Sequence, residues 1–156
     1  MSKLTAADYR QLAAFRFEMR KFMAFSEQAA RDAGIEPQQH QLLLAVKGLP
    51  SSERPTIGAA AQRLCVQHHT AVALVDKLEE RALLQRERSA TDRREVLLRL
   101  TLEGETLLRK LSAAHREHLL ATGPALVSSL REILDTASEP AAGSAPRARR
   151  KLNAGR

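Results

Sequence analysis

The residues best placed to do chemistry lie between Gln85 and Gly104, QRERSATDRREVLLRLTLEG. Arg86 and Arg88 point one way on a first limb, and Val96, Leu98 and Leu100 alternate with Leu97 and Arg99 on a second. That period of two, interrupted by Ser89, Ala90, Thr91 and Asp92, predicts a β-hairpin. Its tip carries Arg93 and Arg94 with Arg88 nearby, a cluster unsuited to a core and suited to phosphate or a DNA groove. Arg94 is the strongest single candidate, because a guanidinium in a narrow minor groove gains from the negative potential there. Asp92 is expected to orient the tip by holding Arg94, or an arginine near the junction with the preceding helices, in a forked ion pair.

The elements that must position this hairpin precede it. Thr56 caps a short helix from Ile57 to Leu64, Cys65-Val66-Gln67 makes a tight connection, and a longer helix runs through His68, Val72, Val75 and Leu78. Two helices so joined match the helix–turn–helix plan, and the hairpin completes a winged helix–turn–helix. Gln67, His68, His69 and Thr70 open the second helix, whose N-terminal residues meet base edges in this plan. Gln can pair with adenine in a bidentate way, and Thr can bond bases or touch a thymine methyl. Lys77, further along, is a phosphate candidate or a solvated lysine.

Composition agrees with a polyanionic partner. The formal charge is +7 and the isoelectric point about 10.3, although RNA or a membrane surface would attract such a chain too. Aromatic residues make up 3% with no Trp, which favours aliphatic helix packing over a sandwich or barrel. The single cysteine, Cys65, rules out a disulfide within the chain and suits a reducing cytosol. No apolar run approaches the ~20 residues of a membrane span, and no secretory leader is visible, so a cytoplasmic location is expected. Neither a phosphate loop nor a serine elbow nor a Cys/His pair at catalytic spacing is present, so neither an enzyme nor a cofactor is expected. His115 and His118 could hold a metal with His40, but spacing fixes no third ligand, and no metal site is assigned.

Helical periodicity also fills the ends of the chain. Tyr9, Leu12, Phe15, Met19, Phe22, Met23, Ser26 and Ala30 mark a long amphipathic helix between Thr5 and Gly34. Pro37 starts a second helix that runs to Gly48. Thr101 caps a helix through Leu107, Leu111, His115 and His118; Gly123-Pro124 is expected to break it before a last helix with Leu126, Leu130 and Ile133. The expected fold class is mainly α with a small β-hairpin wing. A single domain spans residues 1–137, with a DNA-binding lobe over 37–101 and dimerisation helices over 6–33 and 102–137. Residues 138–156, rich in Pro, Gly, Ala and Arg, are expected to form a disordered basic tail that adds non-specific DNA affinity. The end helices exceed what a winged helix needs, so their apolar faces are expected to form a homodimer. Such a dimer sets two recognition helices about one DNA turn, ~34 Å, apart.

From Tyr9 to Leu134 the chain resembles the MarR family of bacterial transcription regulators. The resemblance is carried by LCVQHHTAVALVDKLEERALLQR (64–86), similar to the recognition-helix segment, and by DRREVLLRLTLEG (92–104). The latter holds the Asp-x-Arg signature as Asp92 and Arg94, followed by Leu100-Thr101 and Gly104. Three departures stand out. Cys65 occupies a turn position where the family often has Gly, and Ala82 the place where Gly usually closes the recognition helix. Gln67, His68 and His69 replace the commoner Ser and basic residues, and Ala73 stands where Arg is frequent. These leave the fold intact and bear on the operator sequence.

The resemblance implies a dimer that binds a pseudo-palindromic operator, usually as a repressor, and leaves it when a small molecule binds. It implies an effector cleft between dimer helices and DNA-binding lobe, bounded by Phe15, Arg16, Met19, Phe22, His40, Leu43, Leu44 and the start of the helix after the hairpin. Rings beside a cation suit a small aromatic acid; a packed core would use the same residues. The competing functional reading is a constitutive architectural DNA-binding protein with no ligand. A redox role for Cys65 draws little support, since peroxide sensors of the family carry their cysteine in the first helix, where this chain has none.

Overall fold

A computed structural model describes residues 4–92 and 94–138; Arg93 and residues 139–156 of the expected tail lie outside the described residues. The chain runs α1 (Ala6–Asp32), α2 (Pro37–Lys47), α3 (Ile57–Leu64), α4 (His68–Glu80), β1 (Leu84–Arg88), β2 (Val96–Leu100) and α5 (Leu102–Ser138).

Local chemistry sets the boundaries. Thr5 and Asp8 form a capping box at α1: the Thr5 amide donates to Asp8 Oδ2 at 2.6 Å and the Asp8 amide to Thr5 Oγ1 at 3.3 Å. Gly34 ends the helix at φ +75°, a conformation that costs glycine nothing. Its carbonyl accepts from Arg81 Nη2 at 2.7 Å, tying the α1–α2 turn to the end of α4. Thr56 caps α3 through the Ala59 amide at 3.1 Å.

α1 lies along α5, while α2, α3, α4 and the hairpin gather into a lobe. Leu42, Leu43, Val75, Leu78, Leu84 and Leu98 fill its centre at 2% exposure or less. β1 and β2 pair antiparallel with Leu84 opposite Leu100 and Arg88 opposite Val96. The hairpin is bolted to the helices from outside the sheet, because the Leu98 amide donates to the Pro55 carbonyl at 2.6 Å.

The expected break at Gly123-Pro124 is corrected. α5 is one helix with Pro124 inside it. Proline removes one helical donor, here on an exposed face, where water can serve the freed carbonyl of the equally exposed Leu120. Gly123 is likewise on an open side, with nothing within 4 Å of where a Cβ would stand. Packing of α5 on α1 outweighs the local break signal.

Candidate nucleic-acid interface and ligand cleft

α4 begins at an N-cap, Gln67, whose side chain makes no capping hydrogen bond. Gln67, His68 and His69 are exposed and Thr70 is half-buried, while Ala71, Leu74, Val75 and Leu78 pin the other face of the helix into the core. The polar start of α4 is therefore held rigidly from behind and has its donors and acceptors free. The turn before it depends on Cys65, which sits in the left-handed region at φ 54°, ψ 40°. Ala82 does the same beyond α4 at φ 52°. These are two of the family departures, and each places a side chain where glycine fits without strain.

The wing is organised around Ser89, which is 3% exposed. Its hydroxyl accepts from Arg54 Nη2 at 2.6 Å and from the amides of Thr91 and Asp92, both at 3.2 Å. Arg54 also contacts Glu95 at 2.6 Å as an ion pair, not an aligned hydrogen bond, so one guanidinium from the loop before α3 clamps both limbs of the tip. Arg86 turns back onto α4, where it meets Asp76 at 2.7 Å and also pairs with Glu79. Its amide donates to Glu79 Oε1 at 2.8 Å, fixing the angle between wing and helix. Arg99 pairs with Glu87 at 2.7 Å. Arg88 and Arg94 are exposed and, among the described residues, have no carboxylate partner.

A second site lies on the other side of α2. A cavity of about 370 Å³ opens between α1, α2 and α5, lined by Phe22, His40, Leu44, Ser112, His115, Arg116, Leu119 and Leu120. His115 Nδ1 lies 2.7 Å from the Leu111 carbonyl and Nε2 lies 2.8 Å from Ser26 Oγ. A carbonyl only accepts, so Nδ1 carries the proton and Nε2 accepts from the Ser26 hydroxyl. His40 packs on it with ring centroids 4.9 Å apart. His40 is 2% exposed and neither of its ring nitrogens has a partner. Burial, with His115 adding to it, pushes the His40 imidazole below its ordinary range and keeps it neutral. His118 stacks on Phe25 at 3.8 Å, and its Nε2 is also buried without a partner. Among the described residues no group of three His, Cys, Asp or Glu could hold a metal, and no helix is long and apolar enough to cross a membrane.

Residues 33–95 match the model of the MarR family, and they span α2, α3, α4 and most of the wing just described. This segment is a winged helix–turn–helix. Solved structures of the same fold extend the likeness to α1 and α5. MepR, a transcription regulator of the Staphylococcus aureus multidrug efflux pump MepA, is 19% identical with a TM-score of 0.65, over 80% of this chain and 96% of its own. A point mutant of S. aureus MepR bound to an oligodeoxyribonucleotide is 20% identical with a TM-score of 0.60, over 87% of this chain and 100% of its own. BpsR of Bordetella bronchiseptica, whose DNA binding is regulated by 6-hydroxynicotinic acid, is 21% identical with a TM-score of 0.55, over 77% and 95%. No curated protein matches the chain in sequence.

Within this winged-helix framework the expected DNA-facing residues separate into groups. Gln67, His68, His69 and Thr70 share the start of α4, and Arg88 and Arg94 share the exposed wing. Arg93 lies outside the described residues. Lys77 lines a different hollow, with Glu27, Arg31, Glu36 and Leu74, between α4 and the α1–α2 turn. The Asp92 carboxylate accepts the Arg94 backbone amide at 2.9 Å, and among the described residues it has no guanidinium partner. The junction arginine, Arg54, pairs with Glu95 instead.

Some of the residues expected at an effector cleft line the first cavity and others do not. Phe22, His40 and Leu44 line it, but Leu43 is fully buried in the core. Phe15, Arg16 and Met19 do not line it. The cation at the cleft is Arg116, from the middle of α5 and not its start. Sequence reading missed Arg54, Ser112 and Arg116. No linear signal marks them, because each acts across a sequence gap that only the fold closes.

Proposed function

We propose that the chain is a sequence-specific DNA-binding transcription regulator, working in the cytoplasm as a homodimer on a pseudo-palindromic operator. The start of α4 reads base edges in the major groove and Arg94 enters the adjacent minor groove. The observation that carries this reading is selective pairing in the wing: Arg54, Arg86 and Arg99 are tied to carboxylates, while Arg88 and Arg94 are left exposed at the tip. Unpaired cations on a braced hairpin suit an external phosphate backbone. The oligonucleotide-bound MepR structure of the same fold supports it.

Dimerisation uses α1 and α5, where Tyr9, Leu12, Phe17, Leu120, Val127 and Leu130 are exposed apolar residues at 40% exposure or more. Repression is relieved by a small aromatic acid in the cleft, with the ring against Phe22, Leu44 and Leu119 and the carboxylate at Arg116 or His40. A ligand there touches both α2 of the reading lobe and α5 of the dimer arm, so it can favour one spacing of the recognition helices over another. BpsR, regulated by 6-hydroxynicotinic acid, is a precedent of the same fold.

Footprinting on the DNA upstream of the protein's own coding region tests the reading. A sharply protected palindrome, released by salicylate-like acids in the range where they raise the melting temperature, is expected. Diffuse coverage without sequence preference would instead make the protein an architectural one. Light scattering that found a stable monomer at micromolar concentration would remove the dimer and the palindrome together.

A further inference from the structure

We infer that the cleft is one section of a longer groove built for a two-ended ligand: an apolar body at the His40 end and a distal anionic group at Arg109. This rests on the reading of the cleft as an effector site and specifies what it takes.

A second hollow of about 370 Å³ adjoins the first, lined by Lys47, Glu105, Leu108, Arg109 and Ser112. Ser112 lines both. α2 contributes His40, Leu44 and Lys47, spaced to share one helix face, and α5 contributes Arg109, Ser112 and Arg116, spaced in the same way. The two hollows are thus consecutive stretches between the same two helices. Their linings differ sharply. Phe22, Leu44, Leu119 and Leu120 make the first almost wholly apolar, whereas the second is mixed, with Lys47, Glu105 and Arg109 beside Leu108.

Charge in the second hollow is unevenly used. Lys47 donates to Glu105 at 2.5 Å, and this contact, with a smaller contribution from the charge of Arg109, holds the Glu105 carboxyl below its usual range. That pair is internally neutral. Arg109 has no carboxylate within ion-pair distance among the described residues, and neither has Arg116. The two guanidinium-bearing positions stand two helical turns apart, about 10 Å along α5. At the far end His40 is buried with both ring nitrogens unpartnered, an unmet hydrogen-bonding capacity that faces the first hollow. A one-ended acid can satisfy His40 and Arg116 only. A ligand with an aryl or acyl body, a spacer and a second anion, phosphate or carboxylate, also reaches Arg109.

Calorimetric titration of the full chain with phenylethyl, phenylbutyl and phenyloctyl phosphates, and with phenyloctanoate, tests this against salicylate as the one-ended reference. Phenyloctyl phosphate is expected to bind best. Arg109→Gln should weaken it about tenfold while changing salicylate and phenylethyl phosphate by less than about twofold. Glu105→Gln removes a carboxylate and frees Lys47, so it should tighten phenyloctyl phosphate by about threefold. A purely structural role for either residue predicts no such gain. The phosphate and the carboxylate arms distinguish which anion the polar end prefers. Equal affinity of phenyloctyl phosphate for the parent and Arg109→Gln, with salicylate still bound, would overturn this inference alone. Failure of every ligand to bind would overturn the effector-site reading as well.

Discussion

The wing and the histidine cleft handle polar groups in opposite ways. In the wing, nearly every group that positions the tip is satisfied: Ser89 serves Arg54, Thr91 and Asp92, and Arg54 also meets Glu95. Among the described residues, Arg88 and Arg94 are exposed without a carboxylate partner. In the cleft the reverse holds. His115 is fully engaged, but His40 keeps both ring nitrogens buried without partners, and so, behind the cleft, does Nε2 of His118. A buried unsatisfied polar group costs about 1–3 kcal/mol. Rigidity thus lies in the wing, where the proposed function needs a fixed shape, and unmet bonding lies in the cleft.

The joint between the two regions gives the largest expected effect. Gly104 opens α5 with its backbone pressed on Leu83, so that an added Cβ would collide with the Leu83 carbonyl. The atoms it would meet, O, C and Cα of Leu83, are all backbone and cannot swing aside. Gly104→Ala should cost about 3 kcal/mol in urea denaturation, at the upper end of overpacking penalties. A cost below about 1 kcal/mol would mean that the joint is soft and that wing and cleft are not rigidly coupled.

Next comes the reading face. Arg94→Ala should weaken operator binding in a gel shift by about tenfold to a hundredfold, with no change in melting temperature. Asp92→Ala removes only the acceptor for the Arg94 amide and should weaken binding less. Parent-like affinity in Arg94→Ala would break the claim that the wing keeps its free cations for DNA.

The cleft should respond with opposite sign. His40→Leu removes two unpartnered nitrogens from a buried site and should raise stability by about 1 kcal/mol at neutral pH, while abolishing ligand-induced shifts. Proton linkage sharpens the point. The folded state holds the His40 imidazole below the 6.5 of a free imidazole, so between the two values the unfolded chain binds more protons. Stability is therefore undiminished above about pH 6.5 and falls as pH drops below it, and His40→Leu should flatten that decline. An unchanged pH profile in the variant would assign the decline to another group.

The smallest effects test the left-handed residues. Ala82→Gly and Cys65→Gly relieve a side chain at positive φ but loosen the unfolded chain, so each should stabilise by only about 0.5–1 kcal/mol. Destabilisation by either change in thermal melts would show that these side chains, not their backbones, decide the turns.

By itself the sequence determined the elements and their order. Hydrophobic period, the caps at Thr5 and Thr56, and the alternation after Val96 are local signals, and local free energies of about 1 kcal/mol suffice to place a helix start or a turn. The recognition-helix start was legible for the same reason, since its position follows from one contiguous stretch. Where local and tertiary signals conflicted, packing won: Gly123-Pro124 reads as a break, yet α5 continues through it on α1. Only the tertiary structure decided partnerships across the chain. Arg54 with Ser89 and Glu95, Ser26 with His115, and His40 with His115 join residues 35 to 89 positions apart. Nothing in their neighbours along the chain favours one such pairing over another, because its free energy exists only once the helices have packed.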